Sequence, residues 1–214
     1  MKKLISYSLW GSNPTYTIGA IKNAENAKVM YPGWICRFYI ADDVPNDIVE
    51  QLKSFDNTEL IMMGKGDWTG MFWRFYAASD PDVEVMISRD TDSRLTLREV
   101  EAVNEWLESD KGFHIMRDHP FHGYQIMGGM WGCKSGKIPN IKQLIDNYVK
   151  GDFYQVDQNF LREVIWPMVA NDYICHDEFF EKKPFPSQRQ PRQFVGQPFD
   201  EHDNELDKTH ADKL

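Results

Sequence analysis

Apolar positions change period repeatedly along the chain. Short runs of adjacent or alternating apolar residues are separated by stretches in which they recur every three or four positions, the alternation of strands and helices expected of an α/β domain. Residues 4–10 read as a first strand. Gly11, Ser12, Asn13 and Pro14 then make a turn, with Asn13 as helix cap and Pro14 at the first helical position. The helix carries Ile18, Ile21 and Ala24 to about Met30, where Pro32 and Gly33 stop it. Residues 34–41, rich in aromatic and β-branched side chains, complete an opening β-α-β unit. Asp42 and Asp43 follow and read as the start of the next helix, a ribose or base contact being the other use for such a pair. Pro45 opens that helix, with Ile48, Val49, Leu52 and Phe55 on one face. Residues 59–63 are a third strand, and a helix containing Phe72, Trp73, Arg74, Phe75 and Tyr76 comes next.

The stretch VEVMISRDTDSRL, residues 83–95, organises the rest. Val85, Met86 and Ile87 make a buried strand that runs directly into Arg89, Asp90, Thr91, Asp92, Ser93 and Arg94, so the chain must reach the rim of the sheet there. With extended geometry continued to Asp92, side-chain alternation places Asp90 and Asp92 on one face and Thr91 opposite. Two carboxylates so arranged repel more strongly as the dielectric falls, and burial then calls for a cation. Hard oxygen ligands favour Mg²⁺ or Mn²⁺ over zinc. An isolated D-x-D is commonly a solvated turn; the apolar strand before it and the flanking arginines set this one apart. A haloacid dehalogenase phosphatase also places D-x-D after a strand, but near its N-terminus and with Thr or Val where Arg94 stands. Arg74, in the aromatic helix feeding this strand, reads either as a surface charge or as a phosphate or sugar contact.

Thr96 and Glu99 form a T-x-x-E capping box, followed by a helix with Val100, Val103, Trp106 and Leu107 on its buried stripe. Residues 113–117 return as a strand. The segment RDHPFHGYQIMGGMWGCKSG is dense in glycine and aromatic residues, and Gly128 and Gly129 allow close backbone approach to a ligand such as a sugar. His114, His119 and His122 lack metal-ligand spacing and read as polar surface or acceptor-site residues. Residues 138–149 predict a helix. Asp157, beside Gln158, reads as the N-cap of another that Pro167 ends. Residues 172–175 are a last strand, with His176 directly after it. Residues 201–214 read as a flexible acidic tail or a linker to further domains.

Composition narrows the picture. A chain of 214 residues with 42% hydrophobic residues, 14% aromatic residues and seven Trp can bury a substantial core in one domain, here residues 1–200. The formal charge of −9, with no basic cluster, argues against a nucleic-acid partner. Cys36, Cys133 and Cys175 are widely spaced, suggesting neither a disulfide framework nor a zinc knuckle, and fit a reducing, cytoplasmic compartment. No apolar run approaches the roughly 20 residues of a membrane span.

Taken in order, the β-α-β start, the D-x-D strand, the Gly-Gly-aromatic segment, the Asp157-Gln158 helix start and the late His176 resemble the GT-A glycosyltransferases over about residues 1–200. The stretches FWRFYAASDPDVEVMISRDTDSRL, MRDHPFHGYQIMGGMWG, VDQNFL and RQFVGQPFD look most like the small glycosyltransferase domains encoded by large algal viruses, the chloroviruses, for which the compartment is the host cytoplasm. The resemblance implies a single α/β domain with a central, mostly parallel mixed sheet. It implies transfer of a sugar from a nucleotide-sugar, a UDP-sugar by preference, to a glycan or protein-glycan acceptor. Asp90, Asp92 and His176 are then the Mn²⁺ or Mg²⁺ ligands. Ser8, Leu9, Trp10, Gly11, Arg74, Thr91, Gly128, Gly129 and Gln158 join Asp90 and Asp92 as donor-binding residues, and Asp157 is the catalytic carboxylate. Two other classes compete: a metal-dependent phosphatase with Asp90 as nucleophile, and a sugar-binding module without catalysis.

Overall fold

The computed structural model describes residues 1–148 and 155–214. One seven-stranded sheet runs through the molecule. Its strands are β1 (Lys2–Leu9), β2 (Ile35–Ala41), β3 (Thr58–Gly64), β4 (Val83–Ser88), β5 (Phe113–Arg117), β6 (Trp131–Lys134) and β7 (Tyr173–Asp177), in the order β3-β2-β1-β4-β6-β5-β7. All pairings are parallel except those of β6, which lies antiparallel between β4 and β5. The expectation of a mixed, mostly parallel sheet flanked by helices is met.

Side-chain alternation splits the core between the two faces of the sheet. Ile5, Tyr7 and Leu9 point to one face, where α1 (Pro14–Met30), α2 (Asn46–Lys53) and α3 (Leu97–Glu108) bury Ala20, Ile48, Leu52, Val103 and Trp106 against them. Leu4, Met86, Phe113 and Trp131 point to the other, beneath Phe72 and Phe75 of a 3-10 helix (Trp68–Ser79) and the helices α4 (Ile141–Asn147), α5 (Val156–Phe160) and α6 (Trp166–Val169). Each fully buried large side chain contributes about 1.5–3 kcal/mol, so the double-sided core supplies the main driving force. α1 begins as its sequence requires: Pro14 sits in the first turn and the Asn13 side chain accepts from the Thr15 N–H at 3.0 Å.

Several local expectations are corrected. The segment 68–79 is 3-10 rather than α because the buried hydroxyls of β1 take up its backbone: Ser8 Oγ accepts from the Arg74 N–H at 2.9 Å, and Ser6 Oγ donates to the Arg74 carbonyl at 2.6 Å. Thr96 caps α3, but Glu99 does not complete a capping box. It is buried and bonded to Arg89 Nε at 3.0 Å and to the Tyr31 hydroxyl. Arg89 is thus inside the protein rather than at a rim. The helix foreseen over 138–149 starts only after Asn140, which takes a left-handed φ of 52°, and the Val149 end of that expectation lies outside the described residues. Pro167 does not end a helix. A π-helical stretch, Leu161–Ile165, precedes α6 and leaves the proline in its first turn, where a missing N–H costs nothing.

Residues 201–214 are not a free tail. Asp203 binds Arg94 Nε at 2.9 Å, and Arg192 binds Glu205 and Asp212. A short helix α7 (Lys208–Ala211) is capped by Asp207. No helix among the described residues is long and apolar enough to cross a membrane.

Candidate active site

A cavity of about 620 Å³ opens where β1 and β4 end. On one flank is the loop after β1. Gly11, at a φ of 71° that favours glycine, donates its N–H to Asp43 Oδ1 at 2.8 Å, so Asp43 anchors this loop instead of capping α2, whose Pro45 cap uses no side chain.

In the middle stands the D-x-D turn. The strand ends at Ser88, earlier than a pleat carrying both aspartates requires, and the chain turns at Thr91. α1 fixes that turn: Asn23 Nδ2 donates to the carbonyls of Thr91 (3.2 Å) and Ser93 (2.8 Å), while Gly19 leaves room for the Thr91 carbonyl. The Phe199 N–H closes it from the other side on the Asp92 carbonyl at 2.8 Å. Asp90 and Asp92 therefore both reach the cavity, held there by a pinned turn rather than by strand alternation.

Arg74 is not a surface charge. Its buried guanidinium pairs with Asp90 through Nη1 and with Asp157 Oδ2 through Nη2 at 3.0 Å. Ser8, expected at the donor, lines the cavity but spends its hydroxyl on holding the Arg74 backbone. Gly128 and Gly129 permit close approach, in this structure by the site's own side chains. A Cβ on Gly128 would lie 2.6 Å from Arg74 Nη2 and from Asp157 Oδ2, and one on Gly129 would collide with the Asp90 carboxylate. Asp157 is not the N-cap of α5, a place taken by Gln155 at a φ of 71°. It lies in the first turn, buried, with Oδ1 accepting from the Gln158 N–H at 2.9 Å.

Three carboxylates thus line one cavity, and two of them, Asp90 and Asp157, share the Arg74 guanidinium. Burial, reinforced by the charge of Asp90, pushes the Asp92 carboxyl up to about 7. Burial also raises that of Asp157, with Arg74 opposing the rise. Excess buried negative charge, exclusively oxygen donors and a carboxyl half-protonated near neutrality fit a hard divalent cation. Among the described residues no third His, Cys or acidic side chain converges with Asp90 and Asp92 as a ligand set.

Ser8, Leu9, Trp10, Gly11, Arg74, Asp90, Thr91, Asp92, Gly128, Gly129, Asp157 and Gln158 all line this cavity. His176 does not. The last strand extends through it, so it lies inside β7, three strands and roughly 14 Å of sheet from β4. It packs between His114 Nε2, 2.8 Å from its Nδ1, and Glu105. The late histidine that faces the cavity is His210 of α7, which sequence reasoning missed; it is joined there by His119 and His122, read from the sequence as polar surface or acceptor-site residues. His119 and His122 are buried rather than surface residues, as is His114. Asp118, the other acidic residue beside the glycine-rich segment, is buried in ion pairs with Arg98 and Arg189, away from the cavity lining.

The sequence matches no protein-family model. It also matches no curated protein. Solved structures do match. A Desulfovibrio desulfuricans G20 protein assigned to the nucleotide-diphospho-sugar transferases superposes with a TM-score of 0.50 at 12% identity, over 83% of this chain and 80% of that one. Glucosyl-3-phosphoglycerate synthase from Mycobacterium tuberculosis, in complex with Mn²⁺, UDP-glucose and glycerol 3-phosphate, gives 0.50 at 12% identity over 88% and 73%. A glycosyltransferase involved in glycosylation of the major capsid of PBCV-1 gives 0.48 at 18% identity over 83% and 82%. At these identities the likeness is one of fold: the chain has the GT-A fold of nucleotide-diphospho-sugar transferases.

Proposed function

We propose that this protein is a metal-dependent glycosyltransferase that moves a sugar from a nucleotide-sugar donor to a glycan or protein-glycan acceptor. The observation that carries the reading is the excess negative charge in the cavity, where Arg74 pairs with Asp90 and Asp157 while Asp92, its carboxyl raised by burial and by Asp90, has no ion pair among the described residues. In open α/β sheets the ligand crevice lies outside the carboxyl ends of the strands, as this cavity does. Asp90 and Asp92 would hold Mn²⁺ or Mg²⁺. Bound there, the cation supplies charge stabilisation to the departing diphosphate.

The chain's own residues do the remainder. The loop from Trp10 to Asn13, tied down by Asp43, borders the nucleotide. Arg74, fixed at its backbone by Ser6 and Ser8, orients Asp90 and Asp157 relative to one another. Asp157, desolvated and steadied by Arg74, is placed to accept the acceptor's proton or to stabilise positive charge on the sugar ring. Gln158, whose buried Oε1 has no partner among the described residues, is placed to receive a donor hydroxyl. The donor base is proposed to be uracil, as in the UDP-glucose held by the structurally similar Mycobacterium enzyme.

Incubation with a panel of nucleotide-sugars tests this. Release of nucleoside diphosphate that requires Mn²⁺ or Mg²⁺ and stops with chelator is expected. Phosphate release from a monoester instead would favour a phosphatase, and carbohydrate binding with no turnover a binding module.

A further inference from the structure

The cavity has a second end of different chemistry. The loop after β1 lies on one flank of β4, whereas His119 and His122 follow β5, on the opposite flank beyond β6. Phe194 and His210 reach the same end from the C-terminal segment. Rings gather there: His119 lies 4.5 Å from Phe194 and 5.0 Å from Phe121, and His122 lies 5.7 Å from Phe194, measured between ring centres. Phe121 is 59% exposed although it lines the cavity.

Hydrogen bonding fixes the proton positions of both histidines. His119 Nδ1 accepts the Phe121 N–H at 3.0 Å, so its Nε2 carries the proton and donates to the His210 carbonyl at 2.8 Å. His122 Nδ1 accepts the Asp118 N–H at 3.1 Å, which leaves the ring proton on Nε2, an atom with no protein partner among the described residues. Burial, helped by His119, holds the His122 ring down to about 3, so it stays neutral across the physiological range. The result is one fixed, uncharged N–H donor beside aromatic faces. The only arginine or lysine among the described lining residues is Arg74, already paired with two carboxylates, so an anion would meet excess negative charge without a free cation.

We infer that this end of the cavity is the acceptor subsite and that it takes an uncharged, hydroxyl-bearing ring, a sugar residue stacked on Phe121 and accepting a hydrogen bond from His122 Nε2. The inference rests on the donor reading above. Apolar C–H faces of a pyranose suit aromatic rings, and its hydroxyls suit a neutral donor that needs no counter-charge.

Saturation-transfer NMR on the full chain with UDP and Mg²⁺ tests it, using methyl glycosides of the common hexoses and, as anionic probe, glycerol 3-phosphate. Saturation of at least one glycoside and none of glycerol 3-phosphate is expected. Phe121→Ala should weaken that glycoside about threefold to tenfold, the range for one lost stacking contact. His122→Phe should weaken it while UDP signals persist. Phe121→Ala removes an exposed ring and keeps the test decisive if His122→Phe fails to fold. Binding of glycerol 3-phosphate alone, of no glycoside in the panel, or of a glycoside equally by wild type and Phe121→Ala would overturn the inference with the donor reading intact. Loss of the UDP signals themselves, with or without glycoside binding, would overturn the donor reading and the acceptor assignment with it.

Discussion

Two ionic clusters lie beyond the ends of β4 and β5, the two strands that flank β6, and do opposite things. Around Asp118, two guanidiniums meet two carboxylates. Arg98 clamps both oxygens of Asp118 at 2.9 and 3.0 Å, Arg189 adds a bond of 2.6 Å, Glu178 binds both arginines, and the Val195 N–H fills a remaining position on Asp118. Around Arg74, one guanidinium pairs with two carboxylates, Asp90 and Asp157, and a third, Asp92, lines the same cavity without an ion pair among the described residues. A saturated, charge-balanced cluster has no use for a ligand, and this one fastens the segment 187–195 to the sheet. An unbalanced one bears a cost that a cation relieves. The stoichiometry of charge therefore separates the saturated acid from those proposed to act on a ligand, where burial does not, since Asp118 and Asp157 are both buried.

That contrast can be broken at either cluster. The largest effect is expected at Asp157→Asn, which keeps the shape but loses the charge; kcat should fall about 10²–10⁴-fold while UDP affinity and melting temperature stay near wild type. A near-normal kcat would remove Asp157 from the chemistry. In the balanced cluster, Asp118→Ala removes the buried acid shared by Arg98 and the half-buried Arg189, leaving them only Glu178, and should cost about 3–5 kcal/mol in denaturant unfolding. An equally stable variant would mean the cluster fastens nothing.

A smaller, pH-dependent effect belongs to Asp92. Its carboxyl sits near 7 in the folded protein against the ordinary acidic value unfolded, so its contribution is complete below the unfolded value and is lost as pH rises through about 7. Without metal, Asp92→Asn should then melt above wild type at pH 8, with the gap narrowing below about pH 7 and closing only at about pH 4 or lower. The gap should be some 2–6 °C, from roughly 1–2 kcal/mol after screening of a part-exposed group. Saturating Mn²⁺ should reverse the order by stabilising only the wild type. A gap independent of pH would show that Asp92 is not the group under strain.

Local chemistry made much of this legible in the sequence. Asn13 and Pro14 mark a helix start wherever they lie, and an apolar strand running into Asp90 and Asp92 identifies the sheet end that carries charge. What stayed hidden depends on distant partners. Glu99 satisfied a capping pattern, yet Arg89 and Tyr31 claim it. His176 looked like the residue after a strand because the strand's last two positions are polar, and those positions are buried by α3 and β5. His210 sits in what reads as an acidic tail, and the ion pairs of Asp203, Arg192 and Asp212 with the His119 bond to the His210 carbonyl hold that tail against the cavity.

The central claim is that Asp90 and Asp92 bind a divalent cation and through it a diphosphate. Calorimetric titration of UDP into wild type and Asp92→Asn, each with Mn²⁺ and with chelator, addresses it most directly. The account predicts tight UDP binding only for wild type with Mn²⁺, with the variant folded and inert under both conditions. UDP affinity that is the same in the variant, or indifferent to the metal, would contradict it.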